Sequence, residues 1–155
     1  LIFFFSCQEN YTPKPRGFFK LSFPTKNYQQ YAQDCPFTFE FSVYSKIDTL
    51  EKKCFFNLHF PDFKATLHLS YFPLNKNLYE HTEESRALAY KDSIKANAIS
   101  EQPFIDRKNR VFGLVYDYEG TTATALQFYL TDSTTHFFRG ALYFESLMIS
   151  MFLVI

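Results

Sequence analysis

The segment Phe37-Thr38-Phe39-Glu40-Phe41-Ser42 puts three phenylalanines on one side of an extended backbone and three polar residues on the other. Successive side chains of a strand point to opposite faces, so this alternation predicts a half-buried β-strand. The same period recurs along the chain. Over 17–23, Phe19, Leu21 and Phe23 oppose Lys20 and Ser22. Segments 54–60 and 64–71 read as a hairpin around Pro61-Asp62. Its second arm sends Ala65, Leu67, Leu69 and Tyr71 one way, and Lys64, Thr66, His68 and Ser70 the other. Further strands are predicted over 111–118, turning at Glu119-Gly120 and continuing over 122–130. A polar loop, 131–135, precedes a last strand over 140–144. Such a chain must build a sheet with at least one buried face.

One helix interrupts the strands. Asn77 followed by Glu80 has the spacing of a capping box. No Gly or Pro occurs from there to about Ile99. Ala87, Tyr90, Ile94 and Ala98 make an apolar stripe at helical spacing, while Glu83, Glu84, Arg86, Lys91 and Lys95 favour solvent. Acidic residues come first and basic ones later, which suits the helix dipole. With 155 residues, no internal repeat and no linker-like stretch, the economical reading is one α+β domain. It is mainly antiparallel sheet with one long central helix. The 21 Phe and 11 Tyr exclude a disordered chain, because so many rings need a core. Sixteen basic residues balance sixteen acidic ones, which argues against a dedicated nucleic-acid binder.

The ends differ from the middle. Leu1-Ile2-Phe3-Phe4-Phe5-Ser6-Cys7 is an apolar run, a small residue and a cysteine, and it turns polar at once with Gln8-Glu9-Asn10. That order suits the end of a bacterial lipoprotein signal, where the thiol receives the lipid. The alternative is a first strand ending in a buried cysteine. Residues 1–7 are therefore read as residual signal, 8–16 as an extended linker, 17–144 as the α+β domain and 145–155 as an atypical apolar tail. Proline fixes the backbone around Lys14-Pro15-Arg16, leaving both cations to contact a partner or making the segment a stiff spacer. The tail, 147–155, is far shorter than the roughly 20 residues that span a bilayer. It reads as a buried terminal strand, or as a truncation or frameshift.

No arrangement of reactive residues stands out. If Cys7 is acylated, Cys35 and Cys54 are left as a pair that export could bridge; in a cytosolic chain they would be small core residues. His59 and His68 fall on opposite strand faces if the hairpin turn is centred on Asp62, which disfavours a metal pair, and no paired Cys/His spacing suggests zinc. Ser133 and His136 superficially suggest a nucleophile and base, but in a threonine-rich loop they suit turn chemistry better. Glu83 and Glu84 suit a solvated helix face better than an acid–base pair. No nucleophile elbow, phosphate-binding loop or dinucleotide fingerprint occurs, and no cofactor is expected.

Longer strings carry more. Residues 11–17 (Tyr-Thr-Pro-Lys-Pro-Arg-Gly) directly after the Cys7 signal, Cys35-Pro36-Phe37-Thr38-Phe39-Glu40 and His68-Leu69-Ser70-Tyr71 resemble the gliding-motility lipoprotein GldD family. So do residues 85–91, 115–120, 130–134 and 136–144. The resemblance runs from about Ser6 to Phe144. It implies Cys7 as lipid acceptor, Cys35 and Cys54 as a bridged pair, and a non-enzymatic accessory role in gliding and type IX secretion. The implied partners are the membrane, through the lipid, and protein components of that apparatus, with no nucleic acid or small-molecule substrate. After Phe144 the family continues with a polar loop and a helix, from which 147–155 departs. A single acid after Cys7 favours the periplasmic side of the membrane. At fold level, strands, a long helix and a three-strand meander suggest by analogy a Mog1/PsbP-like sandwich. Two other readings stand beside this one: an envelope hydrolase using Ser133, His136 or Glu83/Glu84, and a periplasmic glycan- or lipid-binding module.

Overall fold

The alternating segments form two antiparallel sheets in the computed structural model, which describes residues 24–32, 34–91, 96–120, 122 and 124–145. The smaller sheet pairs β1 (Tyr28–Tyr31) with β2 (Phe39–Ser42). The larger holds β3 (Lys46–Thr49), β4 (Phe56–Phe60), β5 (Ala65–Pro73), β6 (Ala98–Asp106), β7 (Val111–Glu119), β8 (Thr124–Thr131) and β9 (His136–Phe144). Its spatial order is β3-β4-β5-β9-β8-β7-β6, so the last strand closes the centre. The helix α1 (Leu78–Lys91) connects β5 to β6, which lies at the far edge. The fold is a single α+β domain dominated by antiparallel sheet.

Register assigns the two faces. Phe56, Leu58 and Phe60 of β4, Leu67 and Leu69 of β5, and Phe138 and Phe144 of β9 share one face. The β1–β2 pair covers part of it, because Phe37, Phe39 and Phe41 all need cover. The Phe37 ring lies 5.1 Å from Tyr71 and 5.0 Å from Phe138, and Tyr31 lies 4.8 Å from Phe56. Tilted and edge-on rings at these separations add to the area they bury. Gly140 makes the arrangement possible: a Cβ there would land on the Phe128 ring and 3.1 Å from Leu69 Cδ2.

The opposite face carries Tyr116 and Tyr118 of β7, Tyr129 of β8 and Phe137 of β9. These lie beneath α1, where the predicted stripe is corrected. The buried helix residues are Ser85 and Ala89; Ala87 is exposed and Tyr90 is 44% exposed. The tyrosine rings already fill the space, so only small side chains fit beneath the helix. Tyr118 donates its hydroxyl to the Ala89 carbonyl at 2.8 Å, which fixes the approach. Ala98 begins β6, so the helix does not reach Ile99, and Ile94 and Lys95 lie outside the described residues. The capping box is also not formed. Asn77 Oδ1 accepts from the Asn75 N–H at 2.7 Å, and its amide pairs with His81 Nε2 at 3.2 Å.

Three strands escape the pattern. β1 and β3 are four residues each, and β6 is an edge strand, mostly exposed and containing Pro103. An edge tolerates the missing proline donor, so its sequence need not alternate. β9 begins at His136, four residues before the predicted strand. The strand predicted over 17–23 lies outside the described residues.

Candidate functional site

Cys7, Lys14 and Arg16 lie outside the described residues. Cys35 and Cys54 are joined by a disulfide, with Cα atoms 5.8 Å apart. That separation is ordinary for a bridge. Cys54 is buried against Phe56 and Leu58, immediately before β4, so the bond ties the β1–β2 layer to the large sheet.

The histidine pair departs from expectation. The turn is a 3-10 segment, Pro61–Phe63, followed by Lys64 in the left-handed region, φ 47°. The closing pair is therefore Phe60 with Ala65, and the turn centre falls between Asp62 and Phe63. His59 sits opposite Thr66 and His68 opposite Asn57, which puts both histidines on the same face. A shift of half a residue in the turn centre reverses a face assignment. His59 Nδ1 pairs with Thr66 Oγ1 at 3.1 Å, and His68 Nδ1 with Asn57 Oδ1 at 2.7 Å. Burial, and then the neighbouring His59, lower the His68 pKa, which favours its neutral imidazole. Among the described residues no group of three or more His, Cys, Asp or Glu side chains could hold a metal ion.

The loop between β8 and β9 does not bring Ser133 and His136 together as a nucleophile and base. His136 Nδ1 is paired with the Tyr71 hydroxyl at 2.8 Å. Ser133 has φ 68° and donates its backbone N–H to Thr131 Oγ1 at 2.9 Å. Glu83 and Glu84 are exposed, with Glu84 4.0 Å from His81. These residues make a turn and a solvated helix face.

The described residues leave a concavity on each face of the large sheet. On the aromatic face, a groove of about 490 Å³ is bordered by Phe60, Leu67, Phe128, Leu142 and Phe144, with Asp117 at its edge. On the helix-bearing face, a groove of about 290 Å³ is lined by His68, Ser70, Arg139, Gly140, Ala141 and Tyr143. Its centre is Arg139, whose Nη2 donates to Gln127 Oε1 at 3.2 Å. Gln127 is only 2% exposed, so a buried amide sets the position of a half-buried guanidinium. Sequence reasoning missed both residues. The available signal was one charge inside the apolar run Phe137-Phe138-Arg139-Gly140-Ala141-Leu142.

The described residues define an α+β domain with a disulfide-bridged aromatic layer and an open groove on each face of its large sheet. No described helix is long and apolar enough to cross a membrane. The chain belongs to the gliding motility lipoprotein GldD family, whose model matches residues 8–149. Membership makes it a lipoprotein involved in gliding motility and held at a membrane of the cell envelope. No curated protein and no solved structure matches the chain, so the Mog1/PsbP-like likeness stays an analogy of element order.

Proposed function

We propose that this lipoprotein is a non-enzymatic accessory component of the gliding apparatus and its associated type IX secretion machinery, working through protein contacts. The observation that carries the reading is the family match over residues 8–149. The chemistry of the described residues supports it, since the Ser133, His136 and glutamate candidates are occupied in turn and helix-surface roles. Cys7 is the lipid acceptor, and the domain stands on the periplasmic side. Lys14 and Arg16 follow the anchor and offer two cations to a neighbour. Several acyl chains anchor stably where one would bind only marginally.

The test is a pair of variants in the intact cell. Cys7→Ala is expected to release the protein from membranes and to stop gliding. Ser133→Ala with His136→Ala is expected to leave gliding and secretion at wild-type levels, provided the protein accumulates normally. Membrane retention of the Cys7 variant, or a folded Ser133/His136 variant without motility, would overturn the reading.

A further inference from the structure

Arg139 is a half-buried cation that no described carboxylate answers. The salt-bridge contact found among the described residues, at up to 4.0 Å, is His81 with Glu84, which does not involve Arg139. Arg139 has five donors, and the hydrogen bond to Gln127 uses one nitrogen. A guanidinium taken partly out of water is stable when paired, and its planar fork matches a carboxylate. Register places Ser70 opposite Arg139 on β5, and His68 opposite Ala141. Ala141, on the same face as Arg139, is small, which leaves the volume above β9 open.

We propose that this groove binds a carboxylate carried by an acidic segment of a partner protein, gripped by Arg139 and flanked by Ser70, His68 and Tyr143. Charge count selects the ligand. Arg139 is the formal cation in the groove's lining, which contains no acidic residue, so one carboxylate matches it. The nearby edge of the same face carries Lys46 and Asp48, which cancel. A space of about 290 Å³ with Arg139, Ser70 and His68 in its lining has room for an acidic side chain. The proposal rests on the reading that the protein works through protein contacts, and names the chemistry of one such contact.

The experiment uses the full chain and a fluorescent, end-blocked peptide of alternating Glu and Ser, read by anisotropy at low salt. Saturable binding is expected, with none to the same peptide carrying Lys for Glu. Arg139→Gln should weaken it about tenfold or more, and Arg139→Lys by less, because the charge stays while the fork is lost. Should Arg139→Gln fail to fold, Ser70→Glu supplies an internal carboxylate beside Arg139 and should block binding equally. Unchanged affinity in the folded Arg139→Gln or Ser70→Glu protein, or equal binding of the Lys peptide, overturns the proposal. So does Arg139-dependent binding to phosphatidylglycerol vesicles without peptide binding, which would give the groove to a lipid phosphate. No peptide binding, together with motility loss in Cys7→Ala, removes the groove while the accessory role stands.

Discussion

Asp132 shows how much one side chain can organise. Its Oδ1 accepts the backbone N–H groups of Thr134 at 3.0 Å, Thr135 at 2.8 Å and His136 at 2.8 Å, and its Oδ2 accepts the Thr134 hydroxyl at 2.9 Å. Burial alone would push its carboxyl up, but these hydrogen bonds outweigh it and hold the pKa well below the usual carboxylate range. Asp132→Ala should cost about 1–2 kcal/mol in urea unfolding at pH 7, the lower end being favoured because water reaches the loop. The pH dependence has a definite sign. A carboxylate whose folded pKa is depressed contributes fully above its unfolded value, near ~4, and loses that contribution as pH falls toward the folded one. The gap between wild type and Asp132→Ala should therefore close on acidification; a gap constant down to pH 2 would show that the charge is not what caps the loop. Gly140 is the second such residue. Gly140→Ala places a methyl on the Phe128 ring and should cost roughly 1–3 kcal/mol by overpacking, measured as a lower urea midpoint at unchanged slope. The loop was legible in Thr131-Asp132-Ser133-Thr134-Thr135, where short polar side chains compete for backbone groups. The demand on Gly140 was not, because Phe128 reaches it only through the β8–β9 register.

At the scale of elements, alternation identified the strands that have one wet and one dry face, β2, β4, β5, β7 and β8. It missed β1 and β3, which are too short to show a period, and β6, which as an edge strand with most residues exposed has no dry face to advertise. Helix α1 was visible as an uninterrupted polar-rich run, yet its buried side was assigned about half a turn off. At about 100° per residue, Ala87 and Ala89 stand on nearly opposite sides of the helix, so the sequence holds an alanine on each candidate side. What decides is the partner surface: Tyr116 and Tyr118, each 1% exposed, meet Ala89, which is fully buried. Ala89→Leu should therefore destabilise by roughly 1–3 kcal/mol, whereas Ala87→Leu should stay within about 0.5 kcal/mol. Equal losses in urea midpoints for the two variants would mean that the helix is rotated from the orientation described. The same placement explains why the Arg139 groove was unreadable. Its residues come from β5 and β9, about 70 positions apart in sequence, and they share a face only once β9 inserts between β5 and β8.

For the whole molecule, the aromatic excess and the cysteines describe one device. The β1–β2 layer lies on the large sheet through rings, Phe37 and Phe39 against Phe56, Tyr71 and Phe138, with no strand pairing between the two sheets. Ring contacts alone would let such a small layer open locally at low cost, since two strands without further support are marginal. The Cys35–Cys54 bond closes a segment of sequence separation 19, which the chain-entropy model values at about 3 kcal/mol. It does so where it matters, between the loop that leads into β2 and the residue that leads into β4. We therefore propose that the bridge holds the aromatic layer on the sheet in the oxidising envelope. Replacing both cysteines by Ala should lower the unfolding free energy by about 3 kcal/mol, or somewhat less if the reduced chain retains structure. Hydrogen exchange should accelerate most over residues 28–42, while the amides of β5, β8 and β9 keep their protection relative to the new global stability. If wild-type protein shows the same urea midpoint with and without reductant, the layer is held by its rings alone. If exchange instead rises uniformly across all strands, layer and sheet unfold as one unit and the bridge acts on the whole domain.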